Sequence, residues 1–442
     1  MLHSKKVHIV GSGLAGSEAA YYLASRGVKV VLHEMRPERL TEAHKTGQCA
    51  ELVCSNSLKS KDPLSAPGML KNEMMRVGSL ILDTAAVSEV PGGQALAVDR
   101  EIFADKVTHT LRTHPNITFQ AGEVEAPPAG ELTLIATGPL TSQKLTDWLE
   151  RATATDDLYF YDAIAPIIDA NTIDMESAFL ANRYDKGEEE AYLNCPMNEE
   201  EYHRFIDALM AAEKVPPKAF EKEKFFAGCQ PIEAIAASGR ESLRFGPMKP
   251  VGLTNPKTGR WAHAIVQLRP ENRARTAYNL VGFQTKLKYG EQAKVFRQIP
   301  ALKNAEFLRL GSIHRNTFVC GPKVLRNDLS LKGSPWVYLG GQITGVEGYL
   351  ESAACGMLAA IFIEQRLNGK PHEAPPANTA LGALLRHITG SEVKNYQPAN
   401  MHFGLFDSHL FENCLALKKE PLRQALAQQA SQNFNQWWSA AK

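Results

Sequence analysis

The chain has 442 residues, 44% of them hydrophobic and 22% charged, which is enough for two or three domains around ordinary cores. Its longest apolar run, near Met357 to Ile363, is far too short to span a membrane, so no membrane partner is expected. Seven cysteines with no C-x-x-C pair suggest neither a disulfide framework nor a metal site, and the expected location is the cytoplasm.

The first thirty residues carry the strongest pattern. Val7 to Val10 reads as a buried strand, and Gly11-Ser12-Gly13-Leu14-Ala15-Gly16 is G-x-G-x-x-G. A helical pattern runs from Leu14 to Arg26 and stops at Gly27, and a second strand, Val28 to Leu32, leads to Glu34. The glycines serve a tight turn, close approach of backbone to a pyrophosphate, and close packing of helix on strand. The helix N-terminus offers free N–H groups to that pyrophosphate, and Glu34 stands where a carboxylate accepts from a ribose hydroxyl.

Met69 to Val87 shows apolar residues at helical spacing, and Asp99 to Thr113 reads as a helix with Asp99 as its N-cap. Strands are expected at Ile117 to Phe119 and Leu132 to Ile135, the second running into Ala136-Thr137-Gly138. The rhythm changes after Leu158, through an acidic helical stretch at Asn198 to Glu213 and strands at Ala264 to Leu268 and Asn279 to Phe283. It returns at Trp336 to Leu339, a strand followed by the turn Gly341-Gln342-Ile343-Thr344-Gly345 and a long helix, Tyr349 to Arg366. Such a return suits FAD better than NAD, because the second helix points its N-terminus at the flavin. No second G-x-G-x-x-G follows, so a separate nicotinamide-binding fold is not expected.

The fold class expected is therefore α/β: a two-part, Rossmann-like FAD-binding domain of the GR2 flavoprotein type with an inserted α+β domain. The boundaries read as 1–145, 146–332 and 333–442. Net charge is only +1, yet Gly239 to Lys332 holds 18 Lys and Arg against 5 Asp and Glu. That block suits a polyanionic partner, or a surface whose charges face the acidic remainder. Its aromatics, Phe245, Trp261, Tyr278, Phe283, Tyr289 and Phe296, suit either base stacking or a packed core.

Two cysteines stand out by setting. Cys54 lies in a polar loop of the cofactor domain. Cys229 lies between a glycine and Gln230-Pro231, with Lys222 and Lys224 near enough in sequence to lower a thiol pKa if they converge on it. Cys195, Cys320 and Cys414 have no such setting, and Cys355, inside an alanine-rich helix, reads as a buried hydrophobe.

Over nearly its full length the chain resembles the folate- and FAD-dependent tRNA (uracil-5-)-methyltransferases of the TrmFO (Gid) family. The resemblance is carried by GSGLAGSEAA (11–20), HEMRP (33–37), AELVCSNSLKS (50–60), GGQALAVDR (92–100), IATGPLTS (135–142) and LYFYDAIAPI (158–167). It continues through NRYDKGEEEAYLNCPM (182–197), GCQPIE (228–233), LRFGPMKPVGL (243–253), VGFQTKLK (281–288), HRNTF (314–318) and GQITGVEGYLESAACG (341–356). His33 departs from the family, where tyrosine is usual. The resemblance implies a methyl transfer to uracil C5 of uridine 54 in the tRNA T-loop. The one-carbon unit comes from 5,10-methylenetetrahydrofolate, is carried and reduced by flavin, and the reductant is NADH or NADPH. Cys229, in GCQPIE, matches the nucleophile that adds to uracil C6, and Cys54, in LVCSNS, matches the second thiol. Other readings share parts of the pattern: the same chemistry on a ribosomal RNA uridine, FAD-dependent modification of tRNA wobble uridines, or an RNA-binding flavoprotein that senses redox state.

Overall fold

The computed structural model describes residues 6–154, 159–185, 191–216, 230–407 and 419–441. A five-stranded parallel sheet organises the first and last parts of the chain. Its order across the sheet is Val337–Leu339, Thr133–Ile135, Lys6–Val10, Lys29–Glu34 and Ile117–Ala121. The strand from residue 337 pairs in parallel with Thr133–Ile135, so the chain comes back after some two hundred residues to finish the sheet it began. Its central strands are largely buried, with Val7, Ile9, Val30 and Leu32 in the core and His8 and His33 as buried polar exceptions.

Leu14–Ser25 and Tyr349–Leu367 pack directly on one another. The contact is close because a Cβ at Gly356 would lie 2.2 Å from the Ala15 carbonyl oxygen. The last helix, Lys419–Ala441, adds Leu426, Ala430, Phe434, Trp437 and Trp438 to the same core. Among the described residues no helix is long and apolar enough to cross a membrane.

The stretch expected as one helix over 69–87 is two, Ala66–Val77 and Leu80–Val87. Gly78 takes φ +100°, a left-handed stop, and the Ser79 hydroxyl accepts from the Leu82 N–H to start the next helix. Apolar spacing ran across the break because both helices bury a face in the same core. The Asp99 cap is as expected, with its carboxylate accepting from the N–H groups of Glu101 and Ile102. A small antiparallel sheet of Ser57–Ser60, Ala95–Val98 and Glu89–Val90 was not legible in the sequence.

The intervening part has its own core and a six-stranded sheet, antiparallel at every pairing. Its second basic-block strand is Ala277–Leu280, shorter and earlier than 279–283, because Gly282 turns the chain at φ +78°. The acidic helix is Glu199–Ala211, closed by a capping box between Asn198 and Glu201. Entry and exit strands, Tyr159–Ile164 and Ser312–Thr317, pair antiparallel as a two-stranded ribbon. The expected boundaries at 145/146 and 332/333 fall within segments that belong to the parallel-sheet core. Leu145 and Leu149 pack there on one side, and Val319, Val324, Leu325, Leu329 and Leu331 on the other.

Candidate active site

The first glycine turn is tight wherever segments touch and open only at one point. Gly11 has φ +99°, and a Cβ on it would sit 2.7 Å from the Ala136 carbonyl oxygen. A Cβ on Gly16 would sit 1.8 Å from the Gly11 carbonyl oxygen. Gly13 is different: it precedes the helix without a side-chain cap, and a Cβ there would meet nothing within 4 Å. It faces a cavity of about 60 Å³ that Gly11, Glu34, Arg36, Thr137 and Leu140 also line. Uncapped helix N–H groups beside open space are what an anionic diphosphate needs, so this cradle fits the expected dinucleotide.

Glu34 is held before any ligand arrives. Its Oε2 accepts from the Ser12 N–H at 3.0 Å, the Ser12 hydroxyl at 2.6 Å and Arg36 Nη2 at 2.9 Å. Its Oε1 accepts from the Arg36 backbone N–H and Nε, both at 3.0 Å. Burial alone would raise the carboxyl, but hydrogen bonds and charge from Arg36, with the Ser12 bonds, bring it down to about 2. Arg36 was not singled out from the sequence; its signal was the arginine two residues beyond Glu34 in HEMRP. Beside it, His33 is buried and shares a 2.9 Å hydrogen bond with His8, whose other ring nitrogen meets Glu131 at 2.8 Å. Burial, then the neighbouring His8 and Lys6, lowers His33 to about 4.

Leu140 lines both the first cavity and a second, of about 240 Å³. Cys54, Lys59, Gln342, Glu347 and Tyr349 are among the residues around it. The Gly341–Gly348 segment reaches it with Gly341, Gly345 and Gly348 at φ +84°, +93° and +116°. Gln342 Nε2 donates to Glu347 at 2.8 Å, and the long helix begins at the cavity with Tyr349. The Cys54 N–H donates to the Tyr349 hydroxyl at 2.6 Å. The thiol expected beside the cofactor thus lies on the wall of the cavity where the second glycine segment ends.

Cys229, Cys414, Lys222 and Lys224 lie outside the described residues. Just beyond Cys229, the Ile232 N–H donates at 2.8 Å to the carbonyl of Gln284, a residue lining the Cys54 cavity.

Residues 6–371 match the family model described as glucose inhibited division protein A. A Geobacter sulfurreducens protein, methylenetetrahydrofolate–tRNA-(uracil-5-)-methyltransferase TrmFO, is 52% identical over 431 residues, covering 98% of both chains. A Moorella thermoacetica protein of the same name is 53% identical over 402 residues, covering 91% of this chain and 92% of that one. The chain belongs to the TrmFO family. Among solved structures, Aquifex aeolicus GidA superposes with a TM-score of 0.67 at 15% identity, over 98% of this chain and 75% of that one, which shows a shared fold.

Of the positions that this family pattern marks, the fold brings Gly11, Gly13, Glu34 and Thr137 to the first cavity and Cys54 and Gln342 to the second. Ser12 turns its hydroxyl to Glu34. Leu14, Ala15, Gly16 and Gly138 line neither cavity, and Gly16 serves packing against Gly11. Gly341 and Gly345 supply turns; Thr344 is buried, its hydroxyl bonded to the Gly341 carbonyl at 2.8 Å and 3.4 Å from the Cys355 sulfur. Burial pushes the Cys355 thiol up to about 11, as its helix-interior position suggested.

The basic block divides. Arg240, Lys288 and Lys303 answer Asp207, Glu213 and Asp174 of the preceding stretch, and Arg269 is buried. Tyr278, Phe283 and Phe296 are core, whereas Phe245, Trp261 and Tyr289 are exposed, along with Lys249 and Arg260. His203, Glu241 and His263 also converge, but Arg240 Nε donates to His203 at 2.8 Å and Arg244 pairs with Glu241 at 2.7 Å. Guanidinium groups already supply that cluster's cations.

Proposed function

We propose that this protein is a flavin-dependent methyltransferase that places a one-carbon unit from 5,10-methylenetetrahydrofolate on uracil C5 of tRNA, at the T-loop uridine. The observation that carries this reading is that the glycine cradle and the Cys54 cavity are neighbours sharing Leu140 in their walls. Gly11, Gly13, Glu34 and Thr137 would hold the adenosine-diphosphate end of FAD, and the Gln342–Tyr349 segment its flavin end. When bound, FAD supplies the carrier for the one-carbon unit and, recharged by NAD(P)H, the electrons that reduce it.

The protein's own task is to activate uracil. The Cys229 thiolate adds to C6, which turns C5 into an enolate carbon able to attack an electrophilic carbon. After transfer the C5 proton leaves and the thiolate is expelled from C6. The Ile232–Gln284 hydrogen bond supports this role, since it ties the segment next to Cys229 to the cavity of Cys54. Cys54 is the second thiol of the reaction. A T-loop base must be extruded from its stack to react. Exposed Phe245, Trp261, Lys249 and Arg260 on the inserted unit are the surface for the RNA, in a protein of the cytoplasm.

The test is one assay. Purified protein is mixed with unmodified tRNA, labelled methylenetetrahydrofolate and NADPH, without S-adenosylmethionine, and the RNA is digested to nucleosides. Labelled 5-methyluridine from the T-loop is expected, and Cys229→Ala should abolish it while FAD stays bound. Label in ribosomal RNA alone would move the substrate, and methylation by the Cys229→Ala variant would remove the nucleophile. RNA affinity should fall steeply with salt if the exposed cations meet phosphates.

A further inference from the structure

The loop that carries Cys54 is held in an unusual way. Three consecutive carbonyls, those of Leu52, Val53 and Cys54, all accept from guanidinium groups. Arg100 donates to Leu52 and, at 2.9 Å, to Cys54; Arg309 donates to Val53 at 2.8 Å and to Cys54 at 3.0 Å. Arg100 opens the helix Arg100–Thr113 of the cofactor part, and Arg309 closes the strand Phe307–Arg309 of the inserted part. Val53 lines both the Cys54 cavity and a further cavity of about 290 Å³, which Leu52, both arginines and Glu271 also line.

We infer that Arg100 and Arg309 are positioning residues for Cys54: from two separate parts of the chain they hold its carbonyl, present its thiol to the cavity, and favour its thiolate. This rests on the reading that Cys54 takes part in the transfer.

The charge balance supports it. Among the described residues, the charged and titratable groups around Cys54 include Arg100, Arg309, Glu271 and Tyr349, with Lys59 and Glu347 on the same cavity wall. Lys59 is answered by Glu351 at 2.7 Å, and Arg100 by Glu271. Arg309 has no carboxylate partner among the described residues, and burial followed by repulsion from Arg100 lowers its affinity for its proton. Tyr349 stays a neutral phenol, since burial pushes its ionisation far up. Arg309 is thus a buried guanidinium without a carboxylate ion pair among the described residues, and with Arg100 it acts electrostatically on Cys54. Cationic neighbours of this kind are what activate a cysteine.

The experiment reads the thiol itself. Holoprotein is alkylated with iodoacetamide across a pH series, without tRNA or folate, and the Cys54 peptide is quantified by mass spectrometry. Flavin absorbance reports that the fold is intact. Arg309→Met should slow Cys54 alkylation about tenfold at pH 7 and move its profile to higher pH, whereas Arg309→Lys should restore much of it. Glu271→Gln should act the opposite way, moving the profile to lower pH. If Arg309→Met loses its flavin, Glu271→Gln decides. Cys54 profiles that match wild type in flavin-bound variants overturn the inference. Because no methyl is transferred in this measurement, its failure would leave the methyltransferase reading standing, and failure of the transfer assay would leave the thiol result standing.

Discussion

Charge is handled differently in the two parts of the molecule. In the parallel-sheet part, Glu18 and Glu73 have almost no exposed surface and serve as caps for helices far along the chain. Glu18 accepts from Ser79 and the Ile81 N–H, and Glu73 from the N–H groups of Ala380 and Leu381, at 2.8–3.0 Å. In the inserted part, Lys303–Asp174, Lys288–Glu213 and Arg240–Asp207 stand at the surface. Desolvation makes each buried group consequential, whereas water and salt weaken each exposed pair. Change at Glu18 or Glu73 is therefore expected to cost more than change at any of these three surface pairs.

The sharpest way to break this contrast is at the turn itself. Gly16→Ala would force a Cβ to within 1.8 Å of the Gly11 carbonyl oxygen, so the turn must deform. We expect loss of bound FAD and a stability cost of about 3 kcal/mol or more, read by flavin absorbance and chemical denaturation. A variant that keeps its flavin and its denaturation midpoint would show that the turn is not closely packed.

A buried cap should show a smaller and pH-dependent effect. Burial, against the Leu381 and Ala380 hydrogen bonds, raises Glu73 to about 8 from the ordinary 4.5, so the fold prefers the protonated acid. Its contribution is complete below pH 4.5, declines as pH rises towards 8, and is flat beyond. Glu73→Gln does not titrate, so its deficit of about 1 kcal/mol at pH 5 should narrow or reverse by pH 8. Denaturation midpoints measured across that range check this; a gap constant with pH would contradict it.

The smallest effect belongs to the surface. Lys303→Ala removes a 2.7 Å pair with Asp174, and the thermal midpoint should stay within experimental scatter. A clear loss there would mean that the insert depends on its surface pairs after all.

Much of the site was legible before the fold. Asp99 announced a helix start, and Gly11, Gly13 and Glu34 line one cavity while Gln342 and Gly348 of the second glycine segment line another. The misses have definite causes. The helix expected over 69–87 breaks at Gly78 and Ser79, a glycine–serine pair whose stop-and-cap signal was outvoted by continuous apolar spacing. The basic block was read by counting, which left open whether its charges meet a polyanion or the acidic remainder, and Arg240, Lys288 and Lys303 answer acids from the preceding stretch. Arg36 was passed over because nothing in the order of residues shows that its guanidinium folds back onto Glu34.

By itself the sequence determined the glycine cradle, the strand–helix–strand order and the two-part return to the sheet. Those features are set by local backbone freedom and by periodicity, both readable within a few dozen residues. Only the tertiary structure decided that Arg100 and Arg309, 46 and 255 positions from Cys54, would converge on one carbonyl. The same holds for Glu73, which caps a helix 307 residues away. Such meetings depend on how separately formed elements pack, and a side chain's partner across that distance leaves no periodic trace in the chain.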